Sequence, residues 1–195
     1  MRQRLLGFVN WTRSAKINRS NEKALLEQSL DLQNLLATLD ESGVHYLIVG
    51  GVAARAYGAS RVTEDLDLVI ERTDANLDNV STALRAMNAR LRVEGMTDEE
   101  AKSLPVHIDR HMLKSAGMTT WMTDFGPLDL LAGLESTDAG LKDFNALVNS
   151  STVLQGVGFT LRVAGLSEII EAKSLADRPK DREALPELRQ LEQDS

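Results

Sequence analysis

The residues of this 195-residue chain whose types and spacing best suit shared chemistry are two aspartates, Asp65 and Asp67. They open the run Asp65-Leu-Asp67-Leu-Val-Ile70, which reads as a strand. Residues i and i+2 of a strand point to one face, roughly 7 Å apart at the backbone. Both carboxylates can therefore converge on one point while Leu66 and Leu68 face the core. Two acids so held repel, and one is forced towards protonation unless a cation neutralises the pair. All-oxygen ligation favours a hard ion, Mg2+ or Mn2+, which normally shares its shell with substrate phosphates. An isolated Asp-x-Asp is also what a solvated strand end looks like.

Gly50-Gly51 stands fifteen positions upstream, between an apolar strand and a short helix. There the backbone can approach a ligand closely, and the helix start offers unpaired N–H groups to an anion. A tight turn would ask for the same glycines. A third acid, Asp129, is embedded in the apolar run Gly126-Pro-Leu-Asp129-Leu-Leu131. A buried charge needs a metal, a base or hydrogen-bond donors. Three converging carboxylates suit an in-line phosphoryl displacement on two metals about 3.5–4 Å apart. In that scheme Asp129 faces the attacking oxygen and is a candidate proton acceptor.

These residues need elements to hold them. Asn21 to Glu41 is predicted as an amphipathic helix, with Leu25, Leu32, Leu36 and Leu39 at helical spacing. Val44–Val49 is a predicted strand, Val52–Tyr57 a brief helix closed by Gly58, Asp65–Ile70 a second strand and Asp74–Asn88 a helix. Thr97, with Glu100 three residues on, predicts a capping box for a short helix through Leu104. Strands are expected at Val106–Ile108, Met118–Thr123 and Pro127–Leu131, and a hairpin from Val153–Leu154 and Phe159–Val163 across Gly156 and Gly158. Leu166–Ala176 and Asp181–Glu192 read as helices, with Pro186 marking a bend or restart in the second. The expected architecture is α/β (α+β): a small mixed sheet flanked by helices, with helical N- and C-terminal segments. Residues 1–165 form its core with an N-terminal helical arm, and 166–195 pack on that core.

Composition narrows the function classes. Hydrophobic residues make up 43% and charged residues 26%, as in a globular protein. No stretch approaches the roughly 20 apolar residues of a membrane span, and the run LLGFV near the N-terminus is too short for a signal-peptide core. The absence of cysteine excludes disulfides and thiolate metal sites and makes a cytoplasmic location the simplest expectation. The net charge of −7 argues against a general nucleic-acid coat. Residues 1–30, however, carry Arg2, Arg4, Arg13, Lys16, Arg19 and Lys23 against Glu22 and Glu27. That basic arm could touch a polyanion or be a plain solvated terminus. His107 and His111 lack a third metal-ligating partner, and Trp11, Trp121 and Tyr46 are assigned to packing.

Taken together, Gly50-Gly51, Gly58, Ser60-Arg61, Thr63, Asp65-x-Asp67 and Asp129 resemble the DNA polymerase beta-like nucleotidyltransferase superfamily. Within it the chain looks most like the abortive-infection nucleotidyltransferases, toxins of bacterial toxin–antitoxin pairs. The resemblance implies a nucleotidyltransferase fold. It also implies an enzyme that moves NMP from an NTP to a hydroxyl, with tRNA at its 3′ end as the acceptor, a separate antitoxin protein as partner and no membrane. It implies Asp65, Asp67 and Asp129 as metal-holding catalytic residues, and Gly50, Gly51, Ser60 and Arg61 on the nucleotide phosphates. A weaker match at Lys173 and Arg178-Pro-Lys180-Asp181 implies a functional lysine and acid, Lys173 and Asp181, also toward the nucleotide. Read on its own, a helix with Glu168, Glu171, Lys173 and Asp177 is equally salt-bridge decoration, and Asp181 is equally the N-cap of the last helix. Two rivals stand beside the toxin: transfer to a small antibiotic-type hydroxyl compound, and an inactive binding or antitoxin-like module. Thr63, two residues before Asp65, is a candidate regulatory phosphorylation site, since a phosphate there adds roughly −1.5 to −2 charge.

Overall fold

A computed structural model describes residues 30–93, 95–155 and 160–194. The described elements follow in the order α1 (Leu32–Glu41), β1 (Tyr46–Val49), α2 (Gly50–Ala56), β2 (Leu66–Ile70), α3 (Asp74–Ala86), β3 (Arg90–Leu91), α4 (Asp98–Lys102) and α5 (Arg110–Ser115). Then come β4 (Met118–Thr123), β5 (Gly126–Leu131), β6 (Gly133–Ser136), β7 (Gly140–Asp143), α6 (Phe144–Val148), β8 (Thr152–Gln155), β9 (Thr160–Val163), α7 (Leu166–Ala176) and α8 (Pro179–Gln193).

Seven strands form one mixed sheet in the order β3-β4-β5-β2-β1-β9-β8, and β6 pairs with β7 in a separate ribbon. At its centre β2 runs antiparallel to β1 and parallel to β5. A parallel neighbour cannot be reached by a hairpin, so α3, β3, α4, α5 and β4 occupy the crossover between β2 and β5. The core face of the central strands is apolar because helices cover it: Leu66, Leu68 and Leu128 are fully buried, as are Leu47 and Ile48 of β1. Leu77, Val80 and Leu84 of α3 and Leu35, Leu36 and Leu39 of α1 join the same core. So do Leu166, Ile169 and Ile170 of α7 and Leu185 and Leu188 of α8, which means the C-terminal helices are built into that core. Among the described residues no helix is long and apolar enough to cross a membrane.

The expected mixed α/β architecture is observed, with local corrections. The helix that ends at Glu41 starts at Leu32, because the Asp31 side chain accepts the Asn34 N–H and caps it there; the expected stretch from Asn21, with Leu25, and the basic arm lie outside the described residues. The helix after β1 begins at the glycine pair, two residues before Val52. Residues 106–108 are not a strand: they lead into Asp109, whose side chain caps α5 at the Met112 N–H. The predicted capping box of Thr97 and Glu100 is formed in full, and Pro186 lies inside one continuous helix. The β8–β9 pairing is present, while Gly156 and Gly158 lie outside the described residues. Trp121 is fully buried with its indole N–H on Thr119, and Tyr46 donates to Asp40, so both serve packing; Trp11 lies outside the described residues.

Leu77 offers a test of the core at a distance from the acids. Truncating it (Leu77→Ala) removes a fully buried side chain, with an expected loss of about 2–5 kcal/mol. Urea unfolding should show a lower midpoint with an unchanged slope.

Candidate active site

Register brings the acids together. Asp67 of β2 and Asp129 of β5 are direct partners across the parallel pair, and directly opposed residues share a face. Asp65 immediately precedes β2 and projects to the same side, while Leu66 and Leu68 point into the core at zero exposure. One carboxylate oxygen from each of Asp65, Asp67 and Asp129 lies within 4.8 Å of the other two. Among the described residues this is the one cluster of metal-ligating side chains; His107 and His111 are exposed and stand outside it.

The two glycines make room for this cluster. Gly50 has φ +61°, and a Cβ there would run into the Asp67 carboxylate. A Cβ on Gly51 would meet the Thr63 hydroxyl at 2.5 Å. The helix start at Gly50-Gly51 thus packs directly against the chain's own carboxylate, Asp67. Thr63 Oγ1 donates to Asp65 Oδ1 at 2.7 Å and so orients the first acid.

Burial, then the negative charge of Asp65, raises the Asp67 carboxyl above its usual range, against the pull of the Gly51 N–H and of Lys180 and Lys173. Burial and then Asp67 push Asp129 up to about 6, with Arg92 pulling the other way. Asp129 Oδ1 is buried without a hydrogen bond; the nearest cation, Arg92 Nη1, stands at 3.7 Å, too far to donate well. A buried, unsatisfied carboxylate oxygen beside two further acids fits a hard divalent cation with oxygen ligands.

The acids line a cleft of about 530 Å3, whose lining also includes Gly50, Gly51, Arg61 and Thr63. On the α7–α8 side it is lined by Lys173, Arg178, Lys180 and Glu187. Asp181 is fully buried, and its two oxygens are taken by Lys173 Nζ at 2.9 Å and Arg178 Nε at 2.6 Å. It is therefore the anchor of the two cations; Arg178, not Asp181, is the N-cap of α8. The hydrogen bonds from Arg178 and Lys173 hold the Asp181 carboxyl below its ordinary value although burial opposes this. Of the other charges on and after α7, Asp177 makes an exposed pair with Arg182, whereas Glu171 ties elements together. Glu171 turns away from Lys173 to bind the Thr137 N–H and hydroxyl at 2.8 and 2.7 Å and Lys142 at 3.0 Å, tying α7 to the β6–β7 ribbon.

Ser60, like Asp181, lies outside the cleft lining. Its N–H is held by Glu187 of α8 at 2.8 Å, and Arg61 pairs with Glu183 at 2.8 Å. The turn carrying both is drawn onto α8, and Arg55 braces it through the carbonyls of residues 60 and 61. Two residues beside the acids escaped the sequence reading. Arg178 reads as a helix break next to Pro179, and Arg92 follows a two-residue strand too short to show any pattern.

No protein-family model and no curated protein matches the chain in sequence. Solved structures do match. The lincosamide antibiotic adenylyltransferase LnuA, solved with lincomycin bound, is 14% identical at TM-score 0.55 and covers 84% of this chain and 99% of that one. A Thermotoga maritima protein assigned as a nucleotidyltransferase is 12% identical at TM-score 0.50, covering 88% of this chain and 94% of that one. The seven-stranded mixed sheet with its flanking helices is thus the nucleotidyltransferase fold.

Two substitutions separate the roles. Asp67→Asn relieves repulsion in the metal-free protein, so its thermal midpoint should rise, by on the order of 1 kcal/mol in stability. Calorimetric titration with Mn2+ should show binding lost in the same variant. Asp181 has a depressed folded-state value, so its stabilisation is complete above the unfolded value near ~3.9 and fades as pH falls through the lower folded one. Asp181→Asn should cost about 2 kcal/mol at pH 7 and flatten the acid limb of a stability–pH curve below pH ~4.

Proposed function

We propose that the chain transfers the nucleoside monophosphate of an NTP to a hydroxyl acceptor and releases pyrophosphate. The convergence of Asp65, Asp67 and Asp129 within 4.8 Å carries this reading. A divalent ion, Mg2+ or Mn2+, held by these three residues would neutralise phosphate charge and make the attacking hydroxyl more acidic. The chain supplies the rest. Lys173 and Arg178, fixed by Asp181, and Lys180 meet the triphosphate from the opposite wall. Asp129 takes the proton of the acceptor hydroxyl. The freed oxygen bonds to the α-phosphorus, the bond from that phosphorus to the bridging oxygen breaks, and the electron pair leaves on pyrophosphate. Gly50, Gly51 and Thr63 hold Asp67 and Asp65 in place, and Arg61 reaches the cleft from its rim.

The acceptor in this reading is the 3′ end of tRNA, and the protein is a translation-blocking toxin acting in the cytoplasm with a separate antitoxin. The resemblance of Gly50-Gly51, Asp65-x-Asp67, Asp129 and the Lys173 to Asp181 stretch to abortive-infection toxins supports it. A small-molecule acceptor is the second reading. The fold likeness that spans 99% of LnuA, whose structure holds lincomycin, favours it.

Incubation with each labelled NTP, Mg2+, total tRNA and a panel of lincosamides and aminoglycosides decides between them. Label is expected in tRNA, reduced about a hundredfold or more by Asp67→Asn or Asp129→Asn. Label confined to an antibiotic establishes the second reading, and no transfer to any acceptor overturns both.

A further inference from the structure

The three acids continue into a row that crosses the sheet beyond them. Asp67 opposes Asp129, Asp129 opposes Thr120 of β4, and Thr120 pairs with Arg92. That last pairing is doubled: the Arg92 N–H donates to the Thr120 carbonyl at 2.9 Å, and the Thr120 hydroxyl donates to the Arg92 carbonyl at 2.9 Å. Residues opposed in this way share a face of the sheet. Arg92 therefore stands on the active-site face, two strands past Asp129. Its backbone is held by these two bonds, its side chain is 44% exposed, and its guanidinium stands 3.7 Å from Asp129.

Next to this cation lies an apolar shelf. Met118, two residues before Thr120 and so on its face, opposes Leu131, and both line the cleft. Met118 is 53% exposed, which core packing does not explain. The region beyond Asp129 thus offers an apolar surface and one guanidinium beside the carboxylate that faces the attacking hydroxyl. A terminal ribonucleotide presents that combination: a hydroxyl and a phosphate on opposite sides of one sugar, and a base with an apolar face. A cationic aminoglycoside would instead bring ammonium groups against the guanidinium.

We infer that Arg92 is an acceptor-specificity residue that binds the phosphate preceding the acceptor's terminal hydroxyl, with the terminal base on Met118, so that the acceptor is a polynucleotide 3′ end. This rests on the nucleotidyl-transfer reading and deepens it. Arg92 makes no bond to the reacting atoms: the hydroxyl oxygen, the α-phosphorus and the departing pyrophosphate are handled as above.

The test titrates an RNA trinucleotide with a free 3′-hydroxyl into the wild type, Arg92→Ala and Arg92→Lys by calorimetry. It repeats this with the last phosphate replaced by an uncharged methylphosphonate. Arg92→Ala should weaken binding about tenfold and Arg92→Lys by less. The methylphosphonate should cost the wild type about the same tenfold and Arg92→Ala nothing further. NTP affinity, titrated separately with Mg2+, should be equal in all three proteins. In transfer assays KM for RNA should rise about tenfold while KM for the NTP holds; a merely structural Arg92 would raise both. Equal wild-type binding of the two trinucleotides, or preferential labelling of a cationic antibiotic, overturns the inference. An NTP that fails to bind the wild type strikes the transfer reading instead, while the trinucleotide titration still judges Arg92.

Discussion

Three carboxylates within 4.8 Å of one another repel, and much of the surrounding structure serves to keep them there. The strand register is the first restraint. Leu66 and Leu68 are buried on the opposite face from Asp67, so a one-residue slip of β2 would drive charge into the core and leucine into the cleft. The second is the missing pair of β-carbons at Gly50 and Gly51, which leaves space for the Asp67 carboxylate and the Thr63 hydroxyl. The third is local hydrogen bonding, from Thr63 to Asp65. Asp129 receives less help: its buried Oδ1 has no hydrogen-bond partner among the described residues.

The facing wall solves the inverse problem of holding cations next to one another. A single buried carboxylate, Asp181, divides its oxygens between Lys173 and Arg178. Glu171 fastens α7 to the β6–β7 ribbon, and Glu183 and Glu187 pull the turn at residues 60–61 onto α8. An overall charge of −7 therefore coexists with a cleft that is acidic on one side and basic on the other. Net charge describes the average surface; the site depends on which few residues face each other.

Much of this was legible before any coordinates. The spacing of Asp65 and Asp67 implied a shared face because strand periodicity is strict, and an acid inside the apolar run around Asp129 demanded a partner. The Thr97–Glu100 capping box and the strand over Met118–Thr123 were equally local signals. What stayed hidden depends on distant contacts. The ribbon of Gly133–Ser136 and Gly140–Asp143 is short and polar, without a clear alternation. Val106–Ile108 has the composition of a strand but finds no neighbour to pair with before Asp109 opens α5. Ser60 lies off the cleft because Glu187, 127 positions later in the chain, holds its backbone. Arg92 became visible only through its pairing with Thr120.

The parallel pairing of β2 with β5 also bears on how the molecule is made. Asp65 and Asp67 are neighbours from the moment they are synthesised, whereas Asp129 reaches them only after a crossover of about 60 residues has closed. Non-local strand pairing of this kind is slow and comes at a late stage of folding. A partly folded chain thus carries two of the three acids without the third, and catalytic competence arrives together with the completed sheet.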